Sequence, residues 1–217
     1  MIRGILFDLD GTLADTEPLQ WRAYRQALEP FGVDVDMDEY RIHWIAAEGG
    51  AEYACERYRL PIDAAELRRR KATAYRTLIA DGVAPCPGAR EALDRLAPYY
   101  RLAIATNSVR VETNLVLGHL GIGPRLEAVV AREDYAEPKP APDAYRAAAA
   151  ALGLPPGECV VIEDTARGVR SGVAAGCVVV ALATPLTFDN DFTGAATRIT
   201  SLDEVGSALL RDLSAAR

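Results

Sequence analysis

The chain has 217 residues, of which 50% are hydrophobic and 25% are charged, a balance typical of soluble globular proteins. This length suits one large domain, or one core with a modest insertion. The net charge of -7 argues against nucleic acid or an anionic membrane as the main partner, because those surfaces select basic patches. An anionic substrate would therefore have to be met by local positive groups or by a metal.

The cysteines and the amino terminus indicate the compartment. The 4 cysteines are scattered without a CxxC pair, which argues against a structural zinc site and favours a reducing cytoplasm. The first residues do not form a signal peptide, and no apolar run reaches the roughly 20 residues that span a bilayer. We expect a soluble cytoplasmic protein that is a monomer or a weak homodimer.

Short apolar runs, each followed by a turn signal and a helical pattern, predict an α/β protein. The runs cover residues 2–7, 102–105, 128–131, 159–162 and 177–183. Their continuous apolar character is typical of strands that are buried on both faces. Pro87 and Pro142 begin two of the intervening helices, and Gly153 ends the second of them. The alternation predicts a Rossmann-like parallel sheet with helices on both faces.

The separation between the first two strands is several times what one crossover helix needs. Helical patterns at residues 19–28, 51–58 and 64–79 fill this excess. We therefore expect an all-helical cap domain at residues 16–85, inserted into a Rossmann-like catalytic core at residues 1–15 and 86–217. Turn residues at 15–18 and 82–87 are the expected hinges.

Acidic residues follow two of the predicted strands. Asp8 and Asp10 come after the first strand, and Glu163 and Asp164 end the fourth. If both strands are central, four carboxylates meet at one rim, where each like-charge pair would cost about 3 kcal/mol at roughly 5 Å and a dielectric near 20. A hard divalent cation such as Mg²⁺ would balance them. The simpler alternative for Asp8 and Asp10 is a pair of turn caps.

Two further segments suit the same rim. Thr106, Asn107 and Ser108 follow the second strand and offer hydroxyl, amide and backbone N–H groups for an anion, although such residues are also common helix caps. Lys139 lies between Pro138 and Pro140, which makes it a stiffly placed charge. The alternative for this lysine segment is a rigid surface loop.

With these motifs in this order, the sequence resembles the haloacid dehalogenase-like (HAD) hydrolases over its whole length. The resemblance rests on Asp8-Leu-Asp10-Gly-Thr-Leu, Thr106, Lys139 and Glu163-Asp164. It implies a Rossmann-like core with a type 1 helical cap, nearest to the β-phosphoglucomutase and phosphoglycolate phosphatase branch.

The resemblance also implies a role for each site residue. Asp8 would attack phosphorus to give an aspartyl phosphate, and Asp10 would protonate the leaving group and then activate water. Thr106, Asn107 and Lys139 would bind the phosphoryl group. The residues implied to hold Mg²⁺ are Asp8, the backbone carbonyl of Asp10, Asp164 and Glu163, the last either directly or through water.

The resemblance favours a Mg²⁺-dependent phosphatase of a small metabolite, such as a sugar phosphate or a phosphoglycolate-like monoester. Asp10 speaks against carbon–halogen cleavage. Gln20 stands where sugar-phosphate mutases usually carry histidine, which favours hydrolysis but leaves a mutase as the alternative, and a non-catalytic phosphate-binding regulator as a remote one. Gly49 and Gly50 are candidates for a substrate-specificity loop or a plain interhelix turn. Residues 184–193 have no assigned role.

Overall fold

The strands form one parallel sheet with the first strand near its centre. The computed structural model describes residues 1–215. The strands are β1 (Gly4–Phe7), β2 (Arg101–Ala105), β3 (Ala128–Val130), β4 (Cys159–Glu163), β5 (Val178–Leu182) and β6 (Thr197–Ile199). They pair in the order β3-β2-β1-β4-β5-β6, and every pair is parallel. Chain connections run in opposite directions on the two sides of β1, and open parallel sheets bind ligands at such a point.

The five predicted strands are confirmed, and a sixth was missed. All residues of β1 and of β4 are buried, as their continuous apolar character indicated. The missed strand, β6, has only three residues and lies at the edge of the sheet, with Arg198 exposed between Thr197 and Ile199. Such a short edge strand has no apolar run to reveal it.

Helices alternate with the strands along the chain, and several of them lie between β1 and β2. They are α1 (Glu17–Leu28), α2 (Met37–Tyr40), α3 (Gly50–Arg57), α4 (Ala64–Ala80), α5 (Ala89–Leu96), α6 (Arg110–Leu120), α7 (Asp143–Ala151), α8 (Ala166–Ala175) and α9 (Ser207–Ala215). The helix expected to open at Pro87 begins at Ala89 instead, because Gly88 has a φ of 76° and cannot belong to a right-handed helix. Within residues 1–215, no helix is both long and apolar enough to cross a membrane.

The chain divides into two compact units. One unit is Met1–Asp15 with Ala84–Arg217 and carries the sheet, and the other is Thr16–Val83, whose regular elements are all helical. Ala84 and Pro85 pair with the segment after β1: the Asp15 N–H donates to the Ala84 carbonyl at 2.9 Å, and Pro85 forms a bridge with Ala14.

Each unit has its own core. In the sheet unit, α7 and α8 pack on one face of the sheet, where Ala148 and Val169 join Leu6 and Val161 in one buried cluster. In the helical unit, Tyr40 and Trp44 pack with Leu67. Trp44 lies in a π-helical turn, Arg41–Ala46. π-Helical turns are rare and occur mostly as single turns between or within α-helices.

Candidate active site

Three neighbouring strands deliver polar side chains to one edge of the sheet. Asp8 follows β1, Thr106 follows β2, and Glu163 is the last residue of β4. Since β1 pairs with both β2 and β4 in parallel, Phe7 lies beside Ile104 on one side and Ile162 on the other. The residues just beyond these partners therefore meet at the carboxyl ends of the strands, where the sequence placed them.

Three of the predicted carboxylates form a buried cluster. Asp8, Glu163 and Asp164 each offer an oxygen, and these oxygens lie within 4.8 Å of one another. The residues are 7%, 1% and 1% exposed. Thr12, from the turn after β1, donates its hydroxyl to Asp164 Oδ1 at 3.0 Å. Oxygen donors of this kind are the ligands that a hard divalent cation prefers, so the residues fit a Mg²⁺ ion.

The Asp10 carboxylate has different neighbours. Its Oδ2 accepts hydrogen bonds from the Thr106 hydroxyl at 3.1 Å and from the Ser108 hydroxyl at 2.6 Å. Among the described residues, the side chain of Asp10 is not part of the three-carboxylate cluster. The structure thus separates the two aspartates of the first motif: Asp8 joins the acids, and Asp10 joins the hydroxyls that follow β2.

Lys139 is the cation that balances the acidic cluster. Its Nζ donates to Asp8 Oδ1 at 2.5 Å, to Glu163 Oε1 at 2.8 Å and to the Tyr145 hydroxyl at 2.9 Å. The lysine side chain is only 3% exposed. Glu137, Pro138 and Pro140 are exposed, so the segment is a surface loop, but its lysine side chain is directed into the interior and is not a solvated surface charge.

Asn107 fixes the backbone of the lysine loop. Its Oδ1 accepts the Lys139 N–H at 3.0 Å, and its Nδ2 donates to the Lys139 carbonyl at 3.4 Å. The Tyr135 hydroxyl lies 2.8 Å from the same Oδ1 and 2.9 Å from the Thr106 carbonyl. The side chain of Asn107 thus ties the end of β2 to the lysine loop.

Burial and charge set the protonation states in the cluster. Burial raises the pKa of Asp8 to about 8, although the Lys139 ammonium opposes this shift. Burial also disfavours the charged forms of Glu163 and Lys139, but the attraction between the two charges outweighs it. Hydrogen bonds from Thr165 further stabilise ionised Glu163, and Asp8 further stabilises the Lys139 ammonium. The pKa of Glu163 therefore lies below its usual value, and that of Lys139 lies above it. Without a metal, the positive charge of Lys139 does not fully offset the cost of burying an ionised Asp8, so Asp8 is the acid of the cluster whose pKa is raised.

Two glycines give the carboxylates room. Gly11 has a φ of 79°, and a Cβ atom built on it would lie 2.4 Å from Asp164 Oδ2. Gly168, in the first turn of α8, lies closer still to Glu163, with 1.7 Å between its built Cβ atom and Oε1. Thr165 caps that helix: its Oγ1 accepts the Gly168 N–H at 3.2 Å and donates to Glu163 Oε2 at 2.9 Å. A larger residue at either glycine would displace a carboxylate.

Sequence reasoning missed Tyr145, Tyr135 and Gly168 as parts of this site. Tyr145 is fully buried near the start of α7, and its hydroxyl lies 3.1 Å from Glu163 Oε1. Its only sequence signal was its position, six residues after Lys139, within a helix otherwise dominated by alanine.

Gly49 and Gly50 lie in the helical unit, at the start of α3: Gly49 is the residue before the helix, and Gly50 is its first residue. The Gly49 N–H donates to the His43 carbonyl at 2.8 Å, and a Cβ atom on Gly49 would lie 2.7 Å from that oxygen. Gly50 has a φ of 55°, and Glu48 has a φ of 56°. The turn is therefore tight and needs at least one glycine, whatever its role in substrate binding.

Basic residues of the helical unit are engaged in local contacts. Arg68 pairs with Glu52, and Arg69 and Arg70 both pair with Glu66. The Lys71 ammonium is hydrogen-bonded to Gln20 Oε1. Arg68, Arg69 and Arg70 thus form solvent-exposed ion pairs, and each such pair contributes little to stability.

Comparison with known proteins agrees with the motifs. Residues 2–176 match the family model described as haloacid dehalogenase-like hydrolase. Protein CbbY of Rhodobacter capsulatus is 34% identical over 98% of this chain and 99% of its own length. Fructose-1-phosphate phosphatase YqaB of Escherichia coli is 33% identical over 80% of this chain and 92% of its own.

A solved structure shows the same fold. It is that of a CbbY variant from Rhodobacter sphaeroides in complex with xylulose-(1,5)bisphosphate. It superimposes with a TM-score of 0.79 at 32% identity, and the match covers 97% of this chain and 99% of the other.

Proposed function

Because the chain belongs to the haloacid dehalogenase-like hydrolases, we propose that it is a phosphatase that releases phosphate from a small phosphorylated sugar. The observation that carries this proposal is the buried contact between Lys139 Nζ and Asp8 Oδ1 within the three-carboxylate cluster. A carboxylate that has a fixed ammonium beside it can accept a phosphoryl group, because the charge that develops is already matched.

The substrate class is supported by the relatives. YqaB is named for fructose 1-phosphate, and the CbbY variant was solved with a ketopentose bisphosphate. Both ligands are phosphate monoesters of small sugars. We extend this class to the present chain, with the turn at Gly49 and Gly50 as the proposed specificity loop.

In the proposed reaction, one oxygen of Asp8 forms a bond to phosphorus while the bond from phosphorus to the sugar oxygen breaks. Asp10 gives its proton to that leaving oxygen. Asp10 then takes a proton from the water that attacks the aspartyl phosphate, which releases phosphate and restores Asp8. The Ser108 hydroxyl holds the Asp10 carboxylate in place for both transfers. The Thr106 hydroxyl has a single proton, so it leaves Asp10 when it donates to the phosphoryl group.

Thr106, Asn107 and Lys139 are proposed to bind the transferring group. The Thr106 hydroxyl and the backbone N–H of Asn107 would donate to phosphoryl oxygens at the end of β2. Lys139 would neutralise charge on both Asp8 and the phosphoryl group, because its burial excludes competing water.

We further propose Mg²⁺ as the metal, held by Asp8, Asp164 and the Asp10 backbone carbonyl, with Glu163 contributing directly or through water. When bound, the ion would supply positive charge that lowers the repulsion between phosphate and carboxylates. Both oxygens of Glu163 already accept hydrogen bonds, Oε1 from Lys139 and Oε2 from Thr165. This favours the water-mediated role for Glu163.

The setting proposed for the enzyme is the cytoplasm, as a monomer or weak homodimer that binds neither nucleic acid nor membranes. The acidic net charge of -7 supports the metabolite partner, and Cys55, Cys86, Cys159 and Cys177 are all free thiols. Size-exclusion chromatography with light scattering at several protein concentrations would test the oligomeric state.

Phosphate release from a panel of sugar phosphates tests the function. We expect release that requires Mg²⁺, stops with EDTA and is lost in Asp8→Asn. Asp94→Asn is the matched control, since Asp94 is an exposed acid paired with Arg125. Release that persists in Asp8→Asn would contradict the proposal. Conversion of glucose 1-phosphate to glucose 6-phosphate without release would replace the phosphatase with a mutase.

A further inference from the structure

Tyr145 has one polar atom, and that atom touches the two charged residues that flank the nucleophile. Its hydroxyl lies 2.9 Å from Lys139 Nζ and 3.1 Å from Glu163 Oε1. All three residues are buried, and Tyr145 is 0% exposed. Water therefore cannot replace the hydroxyl without a rearrangement of the core.

The direction of these hydrogen bonds is fixed by chemistry. An ammonium group has no acceptor, so the Tyr145 hydroxyl must accept from Lys139 and give its own proton to Glu163. Burial, followed by the charges of Glu163 and Asp8, raises the pKa of Tyr145 well above its usual value, so the phenol keeps that proton.

Lys139 has three N–H donors, and the structure shows three acceptors: Asp8, Glu163 and Tyr145. Asp8 is the acceptor at which the phosphoryl group arrives, so a phosphoryl oxygen can share or replace that bond during the transfer. The bonds to Glu163 and Tyr145 then keep Lys139 in place.

We propose that Tyr145 is a positioning residue: its hydroxyl, anchored by its own hydrogen bond to Glu163, holds Lys139 against Asp8 during the transfer. The inference rests on the proposed function of the same site. In this scheme Tyr145 contributes to the transfer step through Lys139, and it makes no contact with the substrate.

Tyr145→Phe tests the proposal, because it keeps the ring and removes only the hydroxyl. We expect kcat to fall about tenfold, the order that one hydrogen bond to a charged group supplies, with KM within about twofold. Tyr40→Phe is the control for folding, since Tyr40 is also buried and its hydroxyl donates to a partly buried carboxylate, that of Glu17, at 2.9 Å. The two variants should lose similar stability, but only Tyr145→Phe should lose kcat.

A second measurement does not depend on turnover. Lys71 and Lys139 are the only lysines, so ¹⁵N-lysine labelling gives two side-chain signals, which Lys71→Arg assigns. We expect the Lys139 ammonium of Tyr145→Phe to exchange its protons with water at least about tenfold faster than in the wild type, because one N–H has lost its acceptor. In the wild type, Mg²⁺ with inorganic phosphate should shift the Lys139 signal.

The two measurements separate the two hypotheses. If the wild type releases no phosphate from any substrate but the Lys139 signal responds to Tyr145→Phe, the proposed function fails and the positioning role remains. If the wild type is active and Tyr145→Phe leaves both kcat and the Lys139 signal unchanged, the positioning role is overturned. A fall in kcat that merely tracks the fraction of unfolded protein would overturn it as well.

Discussion

Gly168 lies so close to Glu163 that a Cβ atom built on the glycine would be 1.7 Å from Oε1 of the carboxylate. The contact joins the first turn of α8 to the end of β4. The absence of a side chain at Gly168 is what allows Glu163 to turn toward Lys139 and Tyr145.

Gly168→Ala should therefore displace the Glu163 carboxylate and disturb Lys139 with it. Overpacking of this kind costs about 1–3 kcal/mol of unfolding free energy, and we expect phosphatase activity to fall at least about tenfold. Thermal unfolding and kcat measure the two effects. Gly118→Ala is the matched control, because Gly118 is also helical but has nothing within 4 Å of its built Cβ atom. That control should gain stability by about 0.5–1 kcal/mol. Equal behaviour of the two variants would contradict the role of Gly168.

Metal binding should release a proton from Asp8. In the folded, metal-free chain the pKa of Asp8 is about 8, against 3.8 for an ordinary aspartate. Between pH 3.8 and about 8, Asp8 is protonated in the folded chain but ionised in the unfolded chain. The free energy of unfolding therefore falls as the pH rises through this range. Mg²⁺ would bind the ionised carboxylate of Asp8, so bound metal should restore the free energy of unfolding that is lost as the pH rises.

Calorimetry can count this proton. Titration of the metal-free protein with Mg²⁺ near pH 7, in two buffers of different ionisation enthalpy, should show release approaching one proton. The affinity should rise up to about tenfold per pH unit below pH 8 and level off above it. Binding heats that are the same in both buffers would show that Asp8 is already ionised.

Asn107→Ala should loosen the lysine loop. The substitution removes the acceptor of the Lys139 N–H and a partner of the Tyr135 hydroxyl. Because these groups are partly buried, we expect a loss of about 1–3 kcal/mol in unfolding free energy. The kcat should also fall, since Lys139 is no longer fixed. Asn114→Ala, on the exposed face of α6, is the control: it should leave kcat unchanged and should not lower the unfolding free energy, because alanine is the better helix former. An Asn107→Ala enzyme with wild-type stability and wild-type kcat would contradict the role of Asn107 in fixing the lysine loop.

The parts of the site that could be predicted from sequence are those at strand ends. Asp8, Thr106 and Glu163 follow or end apolar runs, and parallel pairing alone brings such positions together. Lys139 could be predicted because two prolines hold it before a helix. Tyr145 could not, since its contact with Lys139 depends on how α7 is rotated against the sheet. Gly168 could not either, because only the packing of α8 on β4 shows what its missing side chain avoids.

Ser108→Ala tests whether the hydroxyls after β2 orient Asp10. Asp10 Oδ2 accepts hydrogen bonds from two hydroxyls, and the one from Ser108, at 2.6 Å, is shorter than the one from Thr106, at 3.1 Å. Without it the carboxylate keeps Thr106 but can turn, so proton transfer to the leaving oxygen slows; we expect kcat to fall about three- to tenfold with KM unchanged. Substrates with a more acidic leaving group need less proton donation and should lose less. Ser214→Ala is the control, since its hydroxyl donates to the Leu210 carbonyl within α9. A drop in kcat that is equal for all leaving groups would place the effect of Ser108 outside proton transfer to the leaving oxygen.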